Sequence, residues 1–226
     1  MKEAPLFIHH GFNIGSWYMP PFVIYTWIVM GLLILMALAV RSSLKPIPGG
    51  LQNVVEAFIG GLRDFTVNTM GPQGLNYFPL IGTAAFFILL CNLIGIVPGF
   101  ESPTSNLNTT GACAVTVVVT THIVGVQKHG LKYIKHFLGP VWWLAPLMFF
   151  IEVIGHIARL LSLSLRLFGN IRGEDLLLVL LLTLVPFLIP GIMVVHLLQT
   201  FTSFVQTFVF VLLTMLYISG AAEHAH

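Results

Sequence analysis

Long apolar runs separated by short polar segments dominate this chain. Residues 22–41, 79–97 and 110–126 are almost wholly apolar, and so is most of 140–218. A helix rises 1.5 Å per residue and needs about 20 apolar residues to cross about 30 Å of hydrocarbon. The pattern therefore predicts an all-α polytopic membrane protein whose middle part, 79–126, contains two spans.

The last apolar run is too long for a single crossing. Pro186 and Pro190 interrupt it and Gly191 follows, a combination typical of a turn between two helices. Each arm of 140–218 exceeds a perpendicular crossing, so we expect a long, tilted helical hairpin. Together with the first span and the two middle spans, the hairpin brings the expected total to five crossings.

Residues 51–70 differ from these runs because charged side chains interrupt the apolar ones. Glu56, Arg63 and Asp64 lie between apolar positions that recur at helical spacing. This pattern predicts an amphipathic helix that lies at the membrane interface without crossing it. No internal repeat supports an inverted-repeat transporter, and we interpret residues 1–226 as a single membrane domain.

The distribution of charge predicts the orientation. Residues 1–21 are polar and aromatic and lack the short apolar core of a signal peptide, so we expect the first span to be retained. Basic side chains follow the first and third spans: Arg41, Lys45, Lys128, Lys132 and Lys135. Glu101 instead falls in the loop between the second and third spans. By the positive-inside rule, the N-terminus is outside and the C-terminus is cytoplasmic.

Composition narrows the classes of function. Of 226 residues, 57% are hydrophobic and 8% are charged, against roughly 25% charged in soluble domains. The net charge of +2 is too low for a basic surface that binds nucleic acid, so we expect no nucleic-acid partner. Cys91 and Cys113 have no CxxC spacing and no histidine close in sequence, and we interpret both as packing residues.

Two polar stripes mark the hairpin. On the first arm, polar side chains recur in steps of three or four and therefore share one helix face. They are Glu152, His156, Arg159, Ser162, Arg166, Asn170 and Glu174. The second arm carries an uncharged stripe of His196, Gln199, Ser203, Gln206 and Thr214. Stripes on antiparallel helices can face each other or a third partner, and can hold water and protons at membrane depth.

Arg166 is the most informative of these residues. An arginine at the bilayer centre costs at least about 2.5 to 3.5 kcal/mol on insertion scales, so something must compensate it. Its guanidinium does not release its proton near neutral pH, so it acts as a fixed positive charge that favours the ionised form of a nearby carboxylic acid. The alternatives are that Arg166 snorkels, or that it pairs with Glu152 or Asp175 of the same chain.

Other polar residues leave alternatives open. Glu174 and Asp175 can bind protons in an aqueous pocket or form ion pairs with Arg172. His156 and His196 can ligate a metal or haem, but a face rich in arginine disfavours a cation, so we expect no metal or cofactor. The loop residues Asn106 and Asn108 line an outer water entrance or simply form a solvated turn.

A resemblance follows from the most distinctive segment. SLSLRLFGNIRGEDLL, residues 162–177, resembles the a subunit in the membrane sector of F-type ATP synthases. PTSNLNTT at 103–110 and QTFVFVLLTMLYIS at 206–219 are similar to further family segments in the same order. The similarity extends from about Pro79 to the C-terminal helix, and the N-terminal third resembles the family mainly in layout.

The resemblance implies a stator that presents two aqueous half-channels to a rotating ring of c subunits, each with one proton-binding carboxylate. It also implies peripheral-stalk b subunits, the rest of the ATP synthase complex, and a location in the bilayer of the bacterial inner membrane. Arg166 matches the essential arginine of the family. The other matching polar positions are Glu152, Ser162, Asn170, Asp175, Gln206 and, in the outer loop, Asn108. Such a subunit performs no bond chemistry itself.

The chain departs from the family at Gln199, where relatives often carry a histidine or glutamate that works with the acid at Asp175. A glutamine orders water but does not titrate, and Glu174 or His196 is expected to take over the role. Three rival functions remain: a stand-alone ion-coupled transporter, a redox subunit with haem between His156 and His196, and a membrane scaffold.

Overall fold

Six α-helices contain most of the residues that the structure describes. The computed structural model describes residues 12–14, 17–42, 49–97, 99–130, 145–184 and 189–223. The predictions that concern Lys45, Lys132, Lys135, Pro186 and the C-terminal 224–226 lie outside these residues. The helices are α1 Pro21–Ser42, α2 Gly50–Met70, α3 Phe78–Ile94, α4 Leu107–His129, α5 Ala145–Leu184 and α6 Ile189–Glu223.

Five helical segments of the described residues are long and apolar enough to cross a membrane. They are Pro21–Ser42, Pro72–Ile94, Leu107–Lys128, Pro146–Leu184 and Met193–Ala222. The predicted fold class, an all-α polytopic membrane protein, is thereby confirmed. Two strands that the sequence did not predict, β1 Phe12–Ile14 and β2 Trp17–Met19, pair antiparallel before α1. Three residues are too few to produce a recognisable alternation.

Two helices begin earlier than expected, and both starts have a local cause. The Asn106 side chain accepts a hydrogen bond from the Asn108 backbone N–H at 2.9 Å and caps α4, which begins at Leu107. Asn108 therefore lies in the first turn of α4 and not in the preceding loop. Pro190, expected in the turn between the hairpin arms, lies in the first turn of α6, where its missing N–H costs no helical hydrogen bond.

The amphipathic character of α2 is visible in its packing. Phe58, Leu62 and Phe65 pack against a core formed by α3 and α6. The ring centroids lie 4.7 Å apart between Phe58 and Phe86, and 5.1 Å apart between Phe65 and Phe208. The charged side chains Glu56, Arg63 and Asp64 are exposed. The apolar face of α2 thus contacts protein, and its placement at the membrane interface stays a prediction.

The bundle has two ends, which we name by a residue of each. At the Glu101 end, α3 and α5 finish, α4 and α6 begin, and the loop 99–106 lies between α3 and α4. At the Lys128 end, α4 and α6 finish and α5 begins. Lys128 Nζ donates to Gln73 Oε1 at 2.7 Å, which joins the end of α4 to the 3-10 turn Pro72–Tyr77 that precedes α3.

Candidate functional site

Three pairs of side chains join the arms of the hairpin in a single register. The pairs are Asn170–Gln206, Arg159–Tyr217 and Glu174–Thr202. Asn170 Nδ2 donates to Gln206 Oε1 at 2.7 Å, and the Arg159 guanidinium carbon lies 5.6 Å from the centre of the Tyr217 ring. The number of residues between successive pairs is the same on α5 as on α6, and the residue numbers rise on α5 while they fall on α6. The arms are therefore antiparallel, and their polar stripes meet at these positions.

Arg166 lies on the exposed side of α5. The hairpin register places it level with Phe210 of α6. No acid of the described residues lies within 4.0 Å of its guanidinium. Glu152 instead pairs with His156 at 3.3 Å, and Asp175 lies near Arg172 and Glu101. Pairing of Arg166 with an acid of its own chain thus finds no support in the described structure.

Polar side chains meet around a small cavity near the Glu101 end. This cavity cluster consists of Asn92, Ser102, Glu174, Asp175, Gln199 and Ser203. The cavity measures about 10 Å³, which is near the smallest volume that holds one water. It brings together four side chains singled out in the sequence, three of them from the stripes, and adds two, from α3 and the loop, that the sequence analysis missed. Carboxyl, amide and hydroxyl groups in this arrangement can bind water and protons.

Asn92 is the missed residue with the clearest physical signature. Its side chain is 2% exposed, and its Oδ1 accepts a hydrogen bond from Thr104 Oγ1 at 2.7 Å. Thr104 lies 2.6 Å from the Ser102 hydroxyl, which bonds the Cys91 carbonyl at 2.7 Å. Nδ2 of Asn92 has no protein partner among the described residues. A lone amide in the apolar run FFILLCNLIG is the sequence signal that could have identified it.

The packing that brings Ser102 to α3 depends on a glycine. A Cβ at Gly95 would lie 2.7 Å from Ser102 Cβ, closer than real contacts allow. Only a residue without a side chain therefore lets the loop 99–106 approach the end of α3 and place Ser102 within reach of the Cys91 carbonyl.

Arg172 pairs with the loop and not with its neighbours on α5. Arg172 Nη1 lies 3.9 Å from Glu101 Oε1, and Ser105 Oγ donates to the same carboxyl oxygen at 3.2 Å. The sequence suggested Glu174 or Asp175 as partners. Asp175 does lie close to this ion pair, while Glu174 lies near Thr202 of α6. Two adjacent acids thus have different surroundings.

Gln199, at the position where the chain departs from the expected motif, is buried and 4% exposed. His196 Nδ1 lies 3.1 Å from Gln199 Oε1, so a titratable ring is in direct contact with the amide that replaces a titratable group. Ser203 Oγ donates to the Gln199 carbonyl at 2.7 Å, and Thr214 Oγ1 donates to the Phe210 carbonyl at 2.8 Å. The hydroxyl protons of both residues are therefore used within α6.

A second group of polar side chains lies toward the Lys128 end. This histidine cluster consists of His122, Glu152, His156, Arg159 and Tyr217. The rings of His122 and His156 are 4.5 Å apart between centroids, and His156 Nε2 lies 3.3 Å from Glu152 Oε1. The sequence analysis missed His122 because α4 shows no polar stripe that would single it out.

The same register excludes the haem hypothesis. His196 is level with position 180 of α5, which is 24 residues from His156, or roughly 36 Å along the helix. The two imidazoles therefore cannot ligate one haem iron.

Apolar packing separates the two polar groups. The buried cluster at the middle of the bundle contains Ile88, Ala114, Val117, Leu163, Leu167 and Phe210. Arg166 is on the same level but on the exposed side of α5. It is nine residues, or roughly 14 Å, from Asp175, and seven residues, or roughly 11 Å, from Arg159. Along α5, Arg166 therefore lies between the two polar groups.

The remaining predicted residues lie apart from both polar groups. Ser162 and Asn108 are exposed, on α5 and in the first turn of α4. Asn170 is exposed as well, although its amide bonds Gln206, which is 4% exposed.

Comparisons with known proteins agree on one family. A family model described as ATP synthase A chain matches residues 23–219. Proteins named ATP synthase subunit a are 55% identical in Geotalea uraniireducens, 54% in Geobacter sulfurreducens and 53% in Trichlorobacter lovleyi. Each of these matches extends over 204 residues, which is 90% of this chain and 88% of the relative.

Proposed function

This chain belongs to the ATP synthase A chain family, the proton-channel subunits of F-type ATP synthases, and from that premise we propose a mechanism for it. The chain is the proton-translocating stator of the rotary complex. It provides two aqueous half-channels, and the fixed charge of Arg166 drives deprotonation of the carboxylates carried by the c ring. It forms and breaks no bonds other than those to protons.

The orientation of the bundle follows from its basic residues. Arg41 lies in the last turn of α1, and Lys128 lies in the last turn of α4. Since basic residues next to spans stay in the cytoplasm, we assign the Lys128 end to the cytoplasm and the Glu101 end to the outside. The membrane we propose is the bacterial inner membrane, with the N-terminus outside and the C-terminus cytoplasmic.

The two polar groups supply the half-channels. The cavity cluster, which contains Glu174 and Asp175, belongs to the outer half-channel, and the histidine cluster belongs to the cytoplasmic one. The apolar packing around Phe210 closes the direct route between them. Protons must therefore leave the subunit at mid-membrane, bind to the carboxylates of the rotating ring, and return to the subunit on the other side of Arg166.

The face around Arg166 suits a close-packed partner. Gly169 and Gly173 lie three and seven residues after Arg166 and are exposed, and a Cβ at either would meet no atom within 4 Å. Ser162, one turn earlier, is exposed as well. Small residues at such spacing let another membrane helix approach closely. A carboxylate on that helix would compensate the free-energy cost of placing the Arg166 charge in the membrane. The c ring would supply that carboxylate.

The peripheral-stalk b subunits are the second expected partner. A groove of about 550 Å³ between α1, α2 and α3 is lined mainly by apolar residues, and α1 also exposes Trp27 and Leu35. An unpaired apolar surface on the opposite part of the chain from the proposed ring contact is available to a stalk helix.

One observation carries the proposal: Arg166 is exposed and without an acidic partner in the described structure, between two polar groups that apolar packing separates. The test uses vesicles with the assembled complex after removal of its soluble sector. A potassium diffusion potential should drive proton uptake, and a carbodiimide that modifies the ring carboxylate should stop it. Uptake by this subunit alone, without the ring, would instead indicate a stand-alone transporter.

Asn92→Leu tests the outer half-channel. The substitution removes the amide that lines the cavity next to Asp175 and preserves the approximate size of the side chain. We expect proton flow to fall roughly fivefold, since one hydrogen bond to a transported water contributes about 1 kcal/mol. Asn68→Leu, on the exposed face of α2, is the matched control and should conduct like the wild type. Equal rates in the two variants would remove Asn92 from the path.

Phe210→Ser tests the apolar closure. The smaller, polar side chain leaves room for about three waters of roughly 30 Å³ each between the two polar groups. We expect a proton leak that persists after carbodiimide treatment, measured as passive acidification of vesicles. Phe204→Ser removes an exposed ring from the same helix and should not leak. A Phe210→Ser complex that assembles and shows no proton leak would show that another element closes the route.

A further inference from the structure

The histidine cluster contains two imidazoles to which the proposed mechanism assigns no individual role. His122 of α4 and His156 of α5 stack with their ring centroids 4.5 Å apart and their planes inclined by 59°. His156 Nε2 lies 3.3 Å from Glu152 Oε1. Two imidazoles and a carboxyl are thus in contact in the part of the bundle assigned to the cytoplasmic half-channel.

Resting on the proposed function, we propose that His122 and His156, together with Glu152, form the proton-accepting site of the cytoplasmic half-channel. A ring carboxylic acid that passes Arg166 gives its proton to water and is left as a carboxylate. The proton moves through water to a neutral imidazole, which becomes an imidazolium. The imidazolium then releases the proton to cytoplasmic water and returns to its neutral form.

The chemistry of imidazole suits this step. Histidine is the side chain whose ordinary titration, near about pH 6.5, lies within the physiological range. Two imidazolium ions at this separation would repel each other, so the pair holds one proton at a time. The Glu152 carboxylate favours that single positive charge, and its hydrogen bond to His156 orients the ring. The site therefore alternates between an empty and a singly loaded state.

The surrounding charges favour release as well as loading. On α5, Arg159 and Glu152 each lie one turn from His156, so the pair of rings has one positive and one negative charge beside it. On α6, Tyr217 contacts the Arg159 guanidinium at 5.6 Å. On α4, Lys128 is bonded to Gln73. Because the negative charge of the carboxylate and the positive charge of the guanidinium oppose each other, the proton is not trapped at the site.

Exposure and position support access to water. The side chains of His156 and Glu152 are 15% and 33% exposed. His156 is ten residues, or roughly 15 Å, from Arg166 toward the cytoplasmic end, and His122 is six residues, or roughly 9 Å, from Lys128. The pair thus lies between the ring contact and the cytoplasmic water.

The test compares His122→Gln, His156→Gln and the double variant with the wild type. Glutamine keeps hydrogen-bonding capacity but does not titrate. Inverted vesicles with the assembled complex expose the cytoplasmic face to the bath, so the bath pH can be varied while the interior pH and the potassium diffusion potential are held constant. The ratio of variant to wild-type proton efflux at each bath pH cancels the change in driving force.

A titrating acceptor predicts the sign of the pH dependence. At a bath pH of about 8 the wild-type imidazoles are neutral and accept protons, so the double variant should conduct roughly three- to tenfold more slowly. As the bath pH falls below the titration range of the pair, the site already holds its single proton, and the ratio should rise toward one. Thr116→Val, which replaces a hydroxyl that donates to the Ala112 carbonyl, is the control on α4 and should match the wild type throughout.

The outcomes separate this inference from the proposed function. A ratio that is low but independent of pH would indicate a packing role and overturn the proton-accepting site, and so would a double variant that conducts like the wild type. Wild-type flow that continues after carbodiimide modification of the ring would instead overturn the proposed function itself.

Discussion

Replacing Arg166 with alanine is expected to abolish ATP synthesis driven by a proton gradient, and ATP-driven proton pumping with it. A positive charge a few ångströms from a carboxylic acid lowers the pKa of that acid by about one to three units, so it shifts proton release from the ring by about 10- to 1,000-fold. Arg166 is the exposed, fixed charge at the level where the apolar core separates the polar groups. Without it, the ring carboxylate keeps its proton as it passes.

Arg166→Lys separates charge from geometry. Lysine preserves a positive charge, but its ammonium lacks the planar fork of donors and loses its proton more readily when desolvated. We expect coupled pumping to be lost in this variant too. Arg166→Ala should in addition allow protons to bypass the ring, because the electrostatic barrier between the half-channels is gone.

The measurement is proton uptake into vesicles that contain the assembled complex, together with ATP synthesis in the same preparation. Arg63→Ala removes an exposed arginine from α2 and serves as the matched control, for which we expect wild-type rates. Because one proton that crosses 100 mV yields about 2.3 kcal/mol, even a partial bypass lowers the yield of ATP measurably. Pumping that survives in Arg166→Ala, in a complex that assembles, would refute the fixed-charge mechanism.

Asp175→Asn should produce the second largest loss. Asp175 lines the cavity and lies next to the Arg172–Glu101 ion pair, whereas Glu174 lies near Thr202. A positioned acid that takes up and releases protons contributes about 100-fold or more to proton transfer, and replacing the carboxyl with an amide removes that capacity. We expect at least about a tenfold decrease in proton flow, because neighbouring groups compensate in part.

Glu174→Gln should have the smaller effect of the two, since Glu174 lies near the neutral Thr202, whereas Asp175 lies beside the charges of Arg172 and Glu101. The double variant should be slower than either single variant. Proton flow driven by a diffusion potential is the measurement, and Asp64→Asn on the exposed face of α2 is the control. Unchanged flow in both single variants and in the double variant would exclude these acids from the proton path.

The helices and their bounds were largely accessible from the sequence. Lipid offers no partners for backbone N–H and C=O groups, so apolar runs of sufficient length must be helical. The amphipathic face of α2 was also predictable, because its apolar residues recur at helical spacing. The starts of α4 and α6 were less accessible, since they depend on the Asn106 cap and on the tolerance of a helix for Pro190 in its first turn.

By itself, the sequence determined that this protein is an all-α membrane protein and that Arg166 needs a partner, because the cost of a buried charge in lipid holds whatever the packing. Only the tertiary structure decided which residues of separate helices meet. Asn92 joined Glu174 and Asp175, and His122 met His156, because the antiparallel register of packed helices is set by side-chain contacts along their whole length. The sequence pattern of one helix does not specify its contacts with other helices.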